Sequence, residues 1–108
     1  ECFRLVVEAL HGGSIEGLDF SDGEINDMTA LEHYTLPHLG VLNLDNNNIQ
    51  SIPSLEKYTN LEQLWLMGNN IGKEGCRSIA KLLQKGFESL RILDLDCNNI
   101  GDEEAEIL

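Results

Sequence analysis

The chain has 108 residues, 42% hydrophobic and 24% charged, an ordinary balance for one soluble domain and too apolar for a disordered one. Seven basic residues against 19 acidic ones leave a net charge of −12, which argues against nucleic-acid binding because a phosphate-facing surface needs a basic stripe. No apolar run approaches the roughly 20 residues that span a bilayer, and no signal-peptide pattern is present.

In chain order, residues 2–10 (CFRLVVEAL) read as a helix. From Ile15 the segment IEGLDFSDGEI is the first, weakest copy of a motif that then recurs three times. The full copies are LGVLNLDNNNI (Leu39 to Ile49), LEQLWLMGNNI (Leu61 to Ile71) and LRILDLDCNNI (Leu90 to Ile100). The copies start at 15, 39, 61 and 90, so the spacings are 24, 22 and 29 residues, within the span of roughly 20 to 29 that stacked repeats use. After Ile49 the connection QSIPSLEKYTN is too short, and too interrupted by Pro53, for a full helix, so Ile52 and Leu55 are expected on a 3₁₀ or irregular turn. After Ile71 the longer connection places Cys76, Ile79, Leu82 and Leu83 at helical spacing, with Gly86 as a stop signal. The chain opens in the helical half of a repeat and closes with GDEEAEIL at the start of another. That reads as a fragment of a longer array, with helix 2–10 a modest N-terminal cap.

The recurring Leu-x-x-Leu-x-Leu-x-x-Asn-x-Ile resembles the leucine-rich repeats. Its 29-residue unit is similar to the ribonuclease-inhibitor type, and its 22-residue unit to the short intracellular type of a phosphatase-regulating branch. The resemblance implies an α/β fold: a single horseshoe segment over residues 1–108, with about four short parallel strands near 17–20, 41–44, 63–66 and 92–95 on the concave side and helices or irregular turns on the convex side.

Alternation along each strand separates architecture from function. Leu42, Leu44, Leu64, Leu66, Leu93 and Leu95 point inward and form the core. Asn47, Asn69 and Asn98 follow the strands, where an inward amide satisfies backbone groups freed by the turn, and Gly23 breaks this ladder. The outward columns are Gly17, Val41, Gln63 and Ile92; Asp19, Asn43, Trp65 and Asp94; and Ser21, Asp45, Met67 and Asp96. Trp65 and Met67 sit centrally, with Val41 and Ile92 diagonal to them and the aspartates Asp19, Asp45, Asp94 and Asp96 at the rim. Tryptophan is enriched in interface hot spots. These ten positions (the outward columns without Gly17 and Ser21) are therefore the candidate site for a protein partner with apolar and basic residues. The competing reading is a half-exposed surface aromatic in a solubilising acidic face.

The helix stripe Lys73, Arg77, Lys81 and Lys85 is expected to pair partly with Asp102 and Glu106 of the next repeat. No catalytic constellation stands out. His11, His33 and His38 lack metal-ligand spacing, Cys76 falls on an apolar helix face, and an open sheet does little to desolvate a carboxylate pair. Neither a metal nor a cofactor is called for. Three cysteines without flanking clusters, and no Asn-x-Ser/Thr acceptor, fit an intracellular, cytoplasmic protein. The expected function is a non-catalytic interaction scaffold with no nucleic-acid or membrane role. The rivals are a regulator of an enzyme or GTPase, and a structural spacer within a larger cytoskeletal or receptor-like chain.

Overall fold

The computed structural model describes residues 2–85 and 88–98. Helix α1 (Cys2–Leu10) leads into β1 (Gly17–Asp19), a one-turn helix α2 (Ala30–His33), β2 (Val41–Asn43), β3 (Gln63–Trp65), α3 (Lys73–Gln84) and β4 (Ile92–Asp94). The four strands pair in parallel in the order β1-β2-β3-β4. Parallel neighbours require a crossover outside the sheet, and each connecting segment here supplies one. Every strand lies inside its expected span and stops one residue short of it. The ladder nevertheless continues past the strands, since the amides of Phe20, Leu44 and Leu66 donate to the carbonyls of Asn43, Trp65 and Asp94 at 2.8, 2.8 and 3.0 Å.

Motif leucines build the core as their alternation predicts. Leu42, Leu44, Leu64 and Leu66 are fully buried, together with Leu39, Leu61, Ile49 and Ile71. Leu93 and Leu95, on the outermost described strand, pack against that core only partly buried. At the opposite end α1 buries Phe3 and Val7. Phe20, standing in a leucine slot, meets Phe3 edge-on with ring centroids 5.2 Å apart, a favoured aromatic geometry.

The asparagine ladder joins repeats as well as closing turns. Each amide nitrogen donates to a carbonyl of its own repeat and to one of the repeat before. Asn47 Nδ2 donates to Leu44 at 2.8 Å and Phe20 at 3.0 Å, Asn69 Nδ2 to Leu66 at 3.0 Å and Leu44 at 2.9 Å, and Asn98 Nδ2 to Leu95 at 3.1 Å and Leu66 at 2.7 Å. Each Oδ1 accepts an amide of the preceding repeat, from Ile25, Ile49 and Ile71 in turn. At Gly23, where the ladder lacks its own side chain, Asn47 Oδ1 also accepts the Gly23 N–H at 2.9 Å. The weak first repeat is thus held by the asparagine of the second.

One position before the ladder, the backbone of all four repeats turns left-handed, at Asp22, Asn46, Gly68 and Cys97 with φ between 57° and 70°. At Gly68 a Cβ would also meet Asn46 Oδ1, so a side chain there would displace that exposed amide.

The convex side is mixed, as the unequal spacings predict. Residues 50–60 form no helix but bury Ile52, Leu55 and Tyr58. Tyr58 directs its hydroxyl at the carbonyls of Leu31 (2.6 Å) and Tyr34 (2.9 Å), fastening this irregular segment to α2. Burial pushes the Tyr58 phenol up to about 12. In α3, Cys76, Ile79 and Leu82 face the core, whereas Leu83 is exposed. Gly75 lets α3 approach the preceding repeat, since a Cβ would lie 3.0 Å from the Gln50 carbonyl. The expected stop at Gly86 and the partners Asp102 and Glu106 lie outside the described residues. Within them, Arg77 pairs with Glu74 of its own helix at 2.7 Å and Lys85 pairs with Glu56.

Candidate functional site

Strand register brings the outward columns together as rows across the concave sheet. Gly17, Val41, Gln63 and Ile92 align, as do Asp19, Asn43, Trp65 and Asp94. Ser21, Asp45, Met67 and Asp96 continue the array just beyond the strand ends. Val41, Gln63, Asn43, Trp65, Asp45, Met67 and Asp94 are half-buried, while Ile92, Asp96 and Asp19 are exposed.

Trp65 is more constrained than a free surface aromatic. Its indole N–H donates to Gln63 Oε1 at 3.0 Å, so the site's own glutamine, two residues earlier on the same face, orients the ring. An indole has one donor and no acceptor. With that donor used, the accessible part of Trp65 can be contacted only through its carbon surface.

The aspartates are more than a rim. Asp19 Oδ1 accepts the Ser21 N–H at 2.9 Å, Asn43 Oδ1 the Asp45 N–H at 3.0 Å, and Asp94 Oδ1 the Asp96 N–H at 3.0 Å. Three of the four residues in this row therefore close the same short turn after the strand, a common use of Asp and Asn side chains. Trp65 cannot, and the equivalent amide, Met67 N–H, is instead caught by Asp45 Oδ1 from the neighbouring repeat at 2.8 Å. The Ser21 backbone N–H, followed by the Ser21 side chain, holds the Asp19 carboxyl below its ordinary value. The turn chemistry thus employs one oxygen of each of Asp19, Asp45 and Asp94. The second oxygen of each carboxylate retains acceptor capacity.

Sequence reasoning passed over a row at the edge where the strands begin. Immediately before the strands, Glu16, Gly40, Glu62 and Arg91 form a further row, and a cleft of about 740 Å³ opens there, lined by Glu16, His38, Gly40, Val41, Asn60 and Glu62 among others. Gly40 leaves room between the two glutamates, and Arg91 reaches Glu62 at 3.8 Å. The same register shift that aligns the outward columns would have exposed this row, one residue earlier in each copy.

Among the described residues, no group of His, Cys, Asp and Glu is arranged to hold a metal. No described helix is long and apolar enough to cross a membrane.

Comparison with known proteins agrees with this architecture. Family models for leucine-rich repeats match residues 37–74, as two copies, and 88–105, as one. The chain is similar to the protein phosphatase 1 regulatory inhibitor subunit homologue of Arabidopsis thaliana, 36% identical over 58 residues, which is 54% of this chain and 17% of that protein. Among solved structures it is similar to an internalin from Listeria monocytogenes, with a TM-score of 0.67 and 30% identity over 82% of this chain and 24% of the internalin. It thus spans under a quarter of either relative. The motif, the parallel ladder with its asparagine bridges and these matches make the chain a leucine-rich-repeat solenoid.

Proposed function

We propose that this solenoid is a non-catalytic protein-interaction scaffold whose concave face binds a partner carrying apolar and basic residues. One observation carries the reading: the only tryptophan of the chain stands in a row whose other three members are turn-closing Asp or Asn. The turn it abandons is repaired by Asp45. A large aromatic that displaces a turn-closing residue, and is only half-buried, gives the fold little in return. Tryptophan at the centre of an open face is characteristic of binding hot spots. The flanking aspartates add charge that speeds and selects association with a basic surface. The contacting residues are Trp65 and Met67, with Gln63, Val41, Asn43 and Ile92 beside them and Asp19, Asp45, Asp94 and Asp96 around them. An intracellular setting fits the cysteines Cys2, Cys76 and Cys97, which form no disulfide.

The test is affinity capture with the native chain and with Trp65→Asn, followed by identification of what is lost. Loss of a reproducible partner supports the reading, and an unchanged set of partners leaves a structural spacer in its place.

A second reading, regulation of an enzyme, is favoured by the match to a phosphatase regulatory inhibitor subunit homologue. It refines the first, because regulation would act through the same face. Adding the chain to protein phosphatase 1 catalytic subunit and measuring dephosphorylation separates the two: a change in rate that Trp65→Asn abolishes assigns the regulatory role.

A further inference from the structure

We infer that the group recognised at the centre of this face is an arginine side chain of the partner, its guanidinium laid against the Trp65 ring with N–H groups turned toward Asp94 and Asp45. The inference rests on the protein-binding reading above and specifies what that face selects. Because the indole N–H is given to Gln63, Trp65 offers a partner only ring surface, which attracts cations as well as apolar groups. Trp65 is in register with Asp94 on one side and Asn43 on the other, and neighbouring strands lie about 4.8 Å apart. Asp94 is therefore the direct cross-strand neighbour of Trp65. Asp45, next along the neighbouring repeat, presents a second carboxylate.

Both carboxylates are oriented by the backbone N–H each accepts through Oδ1, and both retain acceptor capacity. The described ion pairs are Arg4 with Glu8, Glu74 with Arg77, Glu56 with Lys85 and Glu62 with Arg91, and none involves Asp45, Asp94 or Asp96. A purely apolar partner would strip water from these carboxylates without replacing it, which is costly. A planar guanidinium can stack on a ring and donate in its own plane at the same time. An ammonium has no plane to stack and no fixed fork, so it makes the two contacts with less area and direction.

Trp65 is the single tryptophan, so its fluorescence and its indole N–H resonance report on this face alone. The whole chain is titrated with tri-arginine amide and with tri-lysine amide at low ionic strength. The expected result is a saturable shift of the indole resonance, with tri-arginine binding about two- to fivefold more tightly than tri-lysine. Asp94→Asn keeps the acceptor for the Asp96 N–H, as Asn43 does in its own repeat, and removes only charge. It is expected to weaken tri-arginine about two- to threefold. An equal or stronger response to tri-lysine, the absence of a saturable shift, or unchanged affinity in Asp94→Asn overturns the inference. If Trp65→Asn abolishes partner capture while no arginine preference exists, this inference falls and the protein-binding reading stands. If capture ignores Trp65→Asn, that reading is the one that falls.

Discussion

Asp45 reaches from one repeat to the next to accept the backbone N–H of Met67 at 2.8 Å, doing from outside what Asp19, Asn43 and Asp94 do within their own repeats. The tryptophan at position 65 and the aspartate at position 45 are thereby linked, since the second closes the turn that the first leaves open.

That link makes Asp45 a stability residue as well as a surface charge. Asp45→Ala removes the acceptor of a part-buried amide and is expected to cost about 1 to 3 kcal/mol, whereas Asp45→Asn keeps the oxygen and costs under about 1 kcal/mol. Urea unfolding followed by circular dichroism measures both, and equal losses in the two variants would show that charge, not the hydrogen bond, matters.

Trp65→Asn tests function with the fold preserved. Asparagine already occupies this row at position 43 and closes its turn there, so the change suits the local turn, offering the Met67 N–H an acceptor beside Asp45, while removing the aromatic surface. We expect stability within about 1.5 kcal/mol of the native chain, because the ring is only half-buried and the Met67 N–H keeps its Asp45 acceptor. Thermal melting checks this before any binding experiment is interpreted.

Asn69→Ala should be among the most damaging single substitutions. The side chain is buried, bridges two repeats and satisfies the Ile49 amide together with the Leu44 and Leu66 carbonyls. The Leu44 and Leu66 carbonyls keep Asn47 and Asn98 as donors, so the Ile49 N–H is the group left unpaired, at an expected cost of about 1 to 3 kcal/mol. Hydrogen exchange should show the loss centred on the amides of Ile49 and its neighbours, and undisturbed protection there would refute the bridging role.

Tyr58 predicts a response to alkali. Its phenol is pushed up to about 12 by burial, above the value near 10 of an unfolded tyrosine. The folded state therefore keeps its proton where the unfolded chain loses it, so this contribution is intact below pH 10 and declines between about pH 10 and 12. In Tyr58→Phe that component of the decline should vanish, at a fixed cost of about 1 kcal/mol or more for the Leu31 and Tyr34 carbonyls that lose their donor. Unfolding midpoints of both proteins from pH 8 to 11.5 decide it.

At acid pH, Asp19 and Asp27 should titrate below the ordinary 3.8, each held down first by a backbone N–H, of Ser21 and Thr29 respectively. A lowered folded value means their small stabilisation is present above the unfolded value and fades as pH falls through the folded one. Carbon-13 carboxyl titration reads the two midpoints directly, and Ser21→Pro, which removes both the backbone and the side-chain donor, should raise that of Asp19 alone.

The amino-acid sequence alone determined the repeat, its strands, the inward leucines and the outward grid, because a period of two along a strand and a recurring motif leave side chains no choice of face. It also marked Asn47, Asn69 and Asn98 as ladder residues. What it could not supply were contacts between residues 20 to 30 apart that follow no motif. The hold of Tyr58 on α2, the catch of Met67 by Asp45 and the cleft around Gly40 arise only when unequal connections bring neighbouring repeats into one register. Tertiary structure therefore decided which carboxylates close turns and how Trp65 is oriented, since a hydrogen bond depends on distance and direction, and neither is written in the spacing of one chain.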